Sequence, residues 1–313
     1  MDSTAKISSR SGFYDLKHFL LLFFLSVGYL VLSFLLVGFK TDQLILVAIV
    51  NGCYFASRLS RSFITGFSIF VVFWVLYDYM KAFPNYNYQS VAIQRLYELE
   101  KNIFGIFYHG KVYTPNEYFL LHTKPFIDVL AGFFYLSWIP MPLLLAVYLF
   151  FKKRIQFYHF ALTFLFVNLI GFVIYYIYPA APPWYIQSHG FEFVANTPGS
   201  RAGLERFDHL FNVEIFKSIY NKGSNVFAAM PSLHSSYPLI ALFYAAQSKI
   251  GKGKILFIVF ITVGIWFTAV YTSHHYILDV LAGILCAALG IGLYQRLIKK
   301  HISSFLTKNN LLD

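Results

Sequence analysis

Charged residues are scarce in this chain of 313 residues, where Asp, Glu, Lys and Arg together make up 12%. That share is about half of the roughly 25% usual for a soluble domain. Hydrophobic residues make up 58% and aromatic residues 20%. This composition excludes a soluble enzyme, a disulfide-rich secreted domain and a disordered tail, because the chain needs lipid as its solvent.

Cysteine is also scarce, with Cys53 and Cys286 alone in the chain. Both lie within apolar segments, so the sequence gives no support for a disulfide framework. No set of His, Cys and carboxylate residues has convincing spacing for metal ligands. We therefore expect neither a metal nor another cofactor.

Long apolar runs recur along the chain, and each is a candidate transmembrane helix. Hydropathy predicts eight such helices, at about 18–39, 43–57, 62–80, 126–151, 156–178, 231–247, 255–272 and 276–295. The second is the weakest, because it is short and contains Asn51. The first is too long for the core of a signal peptide, so we expect it to be retained. The predicted fold class is all-α, a polytopic membrane helix bundle.

Two long polar stretches, roughly 81–125 and 179–229, interrupt the apolar runs. In the first stretch, apolar residues at helical spacing predict either an amphipathic helix in the membrane interface or an ordinary loop helix. These apolar residues are Val91, Leu96, Leu99, Ile103 and Phe107. The predicted parts are N-terminal helices in 1–80, a non-cytoplasmic interfacial segment in 81–125, a membrane domain in 126–297 and a cytoplasmic tail in 298–313.

The distribution of Lys and Arg predicts the orientation in the membrane. They are about three times denser on the side that would carry both termini, which the positive-inside rule makes cytoplasmic. Both polar stretches would then face the other side. The residues on the basic side are Lys6, Arg10, Lys17, Arg58, Arg61, Lys152, Lys153, Arg154, Lys249, Lys252, Lys254, Arg296, Lys299, Lys300 and Lys308. The net charge of +11 therefore indicates anionic lipid rather than nucleic acid as a partner.

One motif that could supply catalytic or phosphate-binding residues is AAMPSLHS at 228–235, where the sixth predicted helix begins. Pro231 suits a first helical turn. Ser232 and the free backbone N–H groups around it predict a helix N-terminus that can hold a phosphate. His234 follows within one turn, so we expect it to point at the same place.

A second motif, YTSHHYILD at 271–279, joins the seventh and eighth predicted helices. If the eighth helix begins near His275, then His275 and Asp279 share one helical face, and the carboxylate can hold one ring N–H. The other ring nitrogen is left as a nucleophile. Because the chain crosses the membrane twice between the motifs, His234 and His275 should lie on the same, non-cytoplasmic side.

This combination favours phosphoryl transfer, which needs a nucleophile, a proton donor and positive charge around the phosphoryl oxygens. We expect His275 to attack phosphorus while Asp279 orients it. His234 would protonate the leaving oxygen and later deprotonate the acceptor. Arg206, with Arg201 as a second candidate, would bind phosphate oxygens.

Other ionisable residues near the predicted spans carry weaker predictions. Asp128 and Asp78 are as readily helix-packing partners as headgroup contacts. His274, beside the expected nucleophile, is a further candidate for substrate binding. Ordinary hydrogen-bonded interfacial histidines are expected at His18, His159 and His301.

These motifs resemble those of a known family. Pro231-Ser232-x-His234 and His275-Tyr276-x-x-Asp279 resemble the second and third signature motifs of the type 2 phosphatidic acid phosphatase superfamily. The order of segments is similar to that of its inositol phosphorylceramide synthase branch, the aureobasidin-sensitive enzymes of fungi and their bacterial relatives. The segments are YPAAPPWY at 178–185, AGLERFD at 202–208, AMPSLHS at 229–235 and SHHY at 273–276.

The resemblance covers about residues 120–295. It implies a six-helix catalytic core within 126–297, a lumenal or periplasmic site and a phosphohistidine intermediate. It also implies the roles given above to the two histidines and the aspartate. Ala269 stands where the phosphatase branch has an Arg, and the 178–185 segment replaces that branch's basic first motif. These departures favour transfer over simple phosphate release.

We therefore expect an integral-membrane lipid phosphotransferase that moves phosphoinositol, or a similar phospho-headgroup, from a phospholipid to ceramide or a related lipid alcohol. Its expected partners are the phospholipid donor, the ceramide-like acceptor and the membrane, without nucleic acid. The site would lie on the non-cytoplasmic side of a bacterial inner membrane or of the Golgi.

The sequence favours three other functions less. A lipid phosphate phosphatase would use the same residues with water as acceptor, and it differs in whether a lipid alcohol raises transfer above release. A proton-relaying transporter is disfavoured because both histidine motifs lie near span ends rather than at the midplane. A scaffold without chemistry would leave the two histidines and the aspartate without a purpose.

Overall fold

A computed structural model describes residues 15–223 and 225–308 of the chain. It divides into two compact units, Met1–Phe83 and Pro84–Asp313. Lys6 and Arg10 of the predicted cytoplasmic side, and residues 309–313 of the predicted tail, lie outside the described residues. The four-part division of the chain stays a prediction.

The described part of the first unit, from residue 15 on, contains the α-helices α1 (Leu16–Val37), α2 (Thr41–Ala56) and α3 (Arg58–Tyr79). The side-chain amide of Asn51, in the predicted weak span, donates hydrogen bonds to the hydroxyl of Ser26 and to a carbonyl of its own helix. Asp78 pairs with Lys81 at 2.6 Å and with Lys40 at 3.6 Å. Within this unit Asp78 therefore serves as an ion-pair partner.

The second unit begins with a short polar subdomain. It consists of helix α4 (Gln94–Phe104), a hairpin of strands β1 (Ile106–Tyr108) and β2 (Lys111–Tyr113), and helix α5 (Pro115–Leu121). The predicted helix is real but shorter than its apolar pattern: Val91 precedes it and Phe107 lies in β1. The reason is Gly105, whose extended backbone ends α4, and the hairpin turn at His109 and Gly110, both with positive φ.

The apolar helices of this unit follow. They are α6 (Pro125–Leu136), α7 (Pro140–Lys152), α8 (Arg154–Ile177), α12 (Leu233–Gln247), α13 (Lys252–Tyr271) and α14 (Ile277–Leu293). The fourth predicted span divides into α6 and α7, because Pro140 cannot continue the hydrogen-bond ladder of a preceding helix. A π-helical turn, Tyr294–Ile298, joins α14 to the terminal helix α15 (Lys299–Lys308).

Short helices cover the second polar stretch, α9 (Pro183–His189), α10 (Glu205–Phe211) and α11 (Ile215–Asn221). Ala180 lies between Ala92 and Ala228, joined to each by a parallel bridge. The two polar stretches therefore pack together over one end of the helix bundle, at the level where α12 and α14 begin.

The all-α membrane bundle is confirmed, with a small hairpin added. Within the described residues, six helices are long and apolar enough to cross a membrane. Two of the eight predicted spans fall short of this length, α2 with 16 residues and α12 with 15. α12 is short partly because Ser232 has an extended backbone, so the helix begins at Leu233 rather than at 231.

Close helix contacts bring the two motifs together. The start of α12 packs on α14 at Gly283, where a Cβ would overlap the carbonyl oxygen of Ser232. The hydroxyl of Ser236 donates to the carbonyl of Gly283 at 2.7 Å. Because α12 and α14 begin at the end of the bundle where α13 ends, His234 and His275 become neighbours.

Candidate active site

The two predicted histidines are in direct contact. His234 is the second residue of α12, and His275 lies in the turn between α13 and α14. Nδ1 of His234 and Nε2 of His275 lie 3.2 Å apart and share a hydrogen bond. The structure therefore brings together the residues expected to act as acid/base and nucleophile, which lie 41 positions apart in the chain.

Asp279 reaches His275 by a route that sequence spacing does not predict. Helix α14 begins at Ile277, so His275 precedes it, and the prediction of one shared helical face is wrong. Asp279 is instead the third residue of α14, and its Oδ2 accepts a hydrogen bond from the backbone N–H of Tyr276 at 2.9 Å. This arrangement, typical of a helix start, leaves Oδ2 3.5 Å from Nδ1 of His275.

Burial keeps His275 uncharged. Only 6% of the residue is exposed, and burial lowers the pKa of His275 to about 4. Nδ1 is near Asp279 but has no hydrogen-bond partner among the described residues. A neutral imidazole that carries its proton on Nδ1 has a free electron pair on Nε2. That nitrogen is the one that faces His234.

Arg206 is held by two side chains from membrane helices. Its Nε donates to Oδ1 of Asp128 at 2.7 Å, and the hydroxyl of Tyr271 donates to the same oxygen at 2.9 Å. The guanidinium also lies over the ring of Tyr271, 5.2 Å from its centroid. Nη2 of Arg206 is buried and has no hydrogen-bond partner within the described part of the chain.

Arg201, the second candidate, lies in a separate ion-pair cluster. Its Nη1 is 3.3 Å from Oδ2 of Asp208, and its Nε is 3.8 Å from Glu205. Asp208 is buried and also accepts hydrogen bonds from the backbone N–H groups of Phe216 and Lys217. The cluster joins α10 to α11, so this geometry favours Arg206 over Arg201 as a phosphate ligand.

Ser232 links the two motifs through its backbone. Its N–H donates to the carbonyl of Asp279 at 2.9 Å, and its Oγ accepts from the hydroxyl of Ser235 at 3.1 Å. The prediction that Pro231 lies in the first helical turn is wrong, because Ser232 is the N-cap and helix α12 begins after it.

His274, next to the expected nucleophile, is buried. Its Nδ1 lies 2.9 Å from Oγ1 of Thr272, and its ring packs against those of Tyr135 and Tyr220. Burial lowers the pKa of His274 well below its usual value. Its Nε2 is buried and without a partner among the described residues.

Aromatic residues that sequence reasoning missed surround His234. The hydroxyl of Tyr135 is 3.1 Å from Nδ1 of His234, and the Trp138 ring packs edge-on with centroids 4.3 Å apart. Tyr135 lies in the last turn of α6, and Trp138 lies between α6 and α7. Nothing in the local sequence distinguishes them from other aromatic residues, since 20% of the chain is aromatic.

Two other histidines of the sequence analysis have hydrogen-bond partners of their own. His159 is buried, and its two ring nitrogens bond to the hydroxyls of Tyr294 and Ser303. Nδ1 of His18 bonds to the hydroxyl of Tyr54. Among the described residues, no group of three or more His, Cys, Asp or Glu is arranged to hold a metal ion.

Comparison with known proteins gives the family. Residues 112–293 match the family model described as PAP2 superfamily. The chain belongs to the PAP2 superfamily. This membership and the relatives that follow confirm the resemblance to the inositol phosphorylceramide synthase branch.

Three relatives of this PAP2 superfamily member carry informative names. It is 47% identical over 263 residues to the phosphoinositol dihydroceramide synthase of Bacteroides thetaiotaomicron, covering 84% of this chain and 86% of that protein. It is 27% identical over 272 residues to the inositol phosphorylceramide synthase of Candida albicans, covering 82% and 54%. It is 35% identical over 120 residues to the catalytic subunit of inositol phosphorylceramide synthase of Saccharomyces cerevisiae, covering 38% and 29%. No solved structure matches the chain.

Proposed function

We propose that this chain is a lipid phosphotransferase that moves phosphoinositol from a phospholipid to ceramide or dihydroceramide. The observation that carries the proposal is His275, with Nε2 3.2 Å from His234 and Nδ1 3.5 Å from Asp279. A nucleophile with an acid/base on one side and an orienting carboxylate on the other is what a double-displacement phosphoryl transfer requires. The names of the relatives support the choice of lipid substrates.

In the first half-reaction, Nε2 of His275 attacks phosphorus and the bond between phosphorus and the diacylglycerol oxygen breaks. His234, which must carry a proton on each ring nitrogen at this stage, donates one of them to that leaving oxygen and becomes neutral. Asp279 stabilises the N–H on Nδ1 as the imidazole gains positive character. The phosphoryl group takes the position between the two rings, so it replaces their direct contact.

In the second half-reaction, the hydroxyl oxygen of the ceramide attacks phosphorus and the bond from phosphorus to Nε2 breaks. His234 accepts the hydroxyl proton, which restores both histidines. Transfer instead of hydrolysis needs a site with little water. The low exposure of His275 (6%) and Asp279 (0%) supports transfer.

We assign the phosphoryl oxygens chiefly to Arg206. Its Nη2 is the buried donor that remains after Nε is bound by Asp128. Asp128 then orients the arginine rather than touching the headgroup. Nε2 of His274, also buried and unpartnered within the described residues, is the second donor that we assign. Ser232 contributes the start of α12, and Arg201 is a less favoured ligand.

We assign the site to the non-cytoplasmic side. Lys152 to Arg154 lie at the junction of α7 and α8, and Lys249 to Lys254 lie where α12 ends and α13 begins. Both basic turns are therefore at the end of the bundle opposite to His234, and the positive-inside rule makes that end cytoplasmic.

The proposal is tested with purified protein, phosphatidylinositol labelled in its headgroup, and ceramide or dihydroceramide. Labelled phosphoinositol-ceramide that forms only when the acceptor is present supports the transferase. Water-soluble inositol phosphate released at the same rate with and without acceptor would instead make the chain a hydrolase.

A further inference from the structure

The turn that carries His275 has a backbone that must be held in place. Ser273 has φ of 61°, a left-handed conformation that residues other than glycine rarely adopt. Two backbone groups of the second polar stretch bind this turn: the N–H of Trp184 donates to the carbonyl of Ser273, and that of Gly203 to the carbonyl of Thr272, each at 3.0 Å. Further bonds come from the first polar stretch.

Asn116, near the start of α5, spans the turn. Its Nδ2 donates to the carbonyl of Val270 at 2.8 Å and to the carbonyl of His275 at 2.9 Å. The residue is fully buried. One amide group therefore connects the last turn of α13 to the backbone of His275 itself.

Glu100, in α4, binds the other side of the turn. Its Oε1 accepts from the backbone N–H of Ile277 at 2.9 Å, and its Oε2 from that of Leu278 at 3.1 Å. These are the first two residues of α14, whose N–H groups have no partners inside the helix. A carboxylate at a helix N-terminus is favourable, and this one is fully buried.

Carboxylate oxygens therefore accept hydrogen bonds from three successive backbone N–H groups. Asp279 accepts from Tyr276, and Glu100 accepts from Ile277 and Leu278. Burial raises the pKa of Glu100 to about 7, while the two N–H donors act in the opposite direction. Glu100 and Asp279 thus cap the start of α14 together, and the orientation of Asp279 toward His275 depends on that start.

We infer that Glu100 and Asn116 are positioning residues for the nucleophile, holding the backbone on both sides of His275 so that its ring meets His234 and Asp279 together. This inference rests on the nucleophilic role proposed for His275. The match to the family begins at residue 112, so Glu100 lies ahead of it. The polar subdomain before the bundle therefore belongs to the catalytic apparatus of this chain.

The chain offers matched controls for both residues. Asn85 is also fully buried, and its Nδ2 also donates to two carbonyls, those of Tyr175 and Phe227, neither of which belongs to the turn of His275. Glu98 lies on the same helix as Glu100 but is exposed. Asn85→Ala should destabilise the fold as much as Asn116→Ala does, and Glu98→Gln provides the same chemical change as Glu100→Gln.

Transfer kinetics measured on folded protein distinguish positioning from general stability. Glu100→Gln and Asn116→Ala should lower kcat about tenfold or more with KM within about threefold, since a misplaced nucleophile affects the reaction step rather than lipid binding. Asn85→Ala and Glu98→Gln should keep kcat within about threefold of the parent. Equal losses of kcat in Asn85→Ala and Asn116→Ala, or a change confined to KM, would overturn the inference.

A second readout is independent of the lipid substrate. Vanadate forms a five-coordinate mimic of phosphoryl transfer, so its affinity, measured by protection against heat unfolding, reports the position of Nε2. Glu100→Gln and Asn116→Ala should weaken vanadate binding about tenfold, while both controls retain it. If the parent protein does not use phosphatidylinositol and ceramide but the variants still lose vanadate affinity, the proposed function fails and the positioning role stands. Unchanged affinity in both variants would overturn it.

Discussion

At the residue scale, the two ring nitrogens of His275 have different neighbours, and this difference defines the chemistry. Nδ1 faces the buried carboxylate of Asp279 and Nε2 faces His234. Replacing the carboxylate by an amide keeps the shape but removes the charge that holds the tautomer. In other enzymes, the same change from carboxylate to amide beside a catalytic histidine lowers kcat by about 10⁴-fold.

His275→Ala and Asp279→Asn should therefore each lower headgroup transfer by about 10³-fold or more. Both variants should still be extracted as folded protein, which a heat-unfolding curve checks. Asp78→Asn is the control, because this carboxylate pairs with Lys40 and Lys81 of the N-terminal unit. Substantial transfer by both site variants would remove His275 from the role of nucleophile.

Arg206 should contribute to phospholipid binding through the N–H donors of its planar guanidinium group. Arg206→Lys keeps the charge but cannot bind Asp128 and a phosphoryl oxygen in the same geometry. We expect KM for the phospholipid to rise about tenfold, with kcat lowered as well. The comparison is Lys217→Met, whose amine pairs with Glu214 at the exposed surface. Equal small effects of the two changes, measured by initial rates against phospholipid concentration, would contradict the assignment.

The sequence predicts many of the residues in the site, but it does not predict how they are arranged. The histidines and Asp279 stand out because ionisable groups beside apolar runs are costly. Glu100 gives a weaker signal: it follows Leu96 by four positions, so it lies on the apolar face of the predicted helix. Its partners are 177 and 178 positions away in the chain, a pairing that no local pattern contains.

At the element scale, the approach of α12 to α14 sets the distance between His234 and His275. Gly283 permits this approach, since a Cβ there would overlap the carbonyl oxygen of Ser232 and lie 3.3 Å from Cβ of Ser235. Small residues at such crossings allow helix backbones to pack closely in membranes.

Gly283→Ala should therefore separate the starts of α12 and α14. We expect a stability loss of about 1–3 kcal/mol and a larger loss of activity than that stability loss explains. Gly292→Ala on the same helix is the control, because nothing lies within 4 Å of its Cβ position. Heat unfolding and transfer rates measure the two effects. A Gly283→Ala variant as active as Gly292→Ala would contradict this account of the packing.

Helix positions follow from hydropathy, whereas helix starts depend on capping contacts. Helix α14 starts at Ile277, two residues after the predicted His275, where Asp279 accepts from the N–H of Tyr276 and Glu100 accepts from those of Ile277 and Leu278. The start of α12 at Leu233 follows from the extended backbone of Ser232. Such one- or two-residue shifts decide whether a side chain lies on a helix or ahead of it.

At the scale of the whole molecule, composition alone identifies a membrane protein. Charged residues make up 12% of the chain, too few to cover the surface of a soluble protein of this size. The number of helices long enough to span the membrane is harder to predict from the sequence. Hydropathy counts α2 and α12, which have 16 and 15 residues, although a typical span needs about 20.

The orientation of the bundle can be measured by labelling. In a chain with Cys53 and Cys286 replaced by Ser, Ala195→Cys should react with a membrane-impermeant thiol reagent from the non-cytoplasmic side, since Ala195 is exposed in the second polar stretch. Lys252→Cys, exposed at a basic turn, should react only after the membrane is opened. The reverse pattern would overturn the proposed location of the site.

The central claim is that His275 carries the phospho-headgroup between two lipids. The most direct test is a single turnover with inositol-labelled phosphatidylinositol and no ceramide, stopped in base, where a bond from phosphorus to histidine survives. We predict label on the protein at His275, absent in His275→Ala, that moves into ceramide when acceptor is added. Labelled ceramide product that forms at full rate without any label on the protein, or with the label on another residue, would contradict the account.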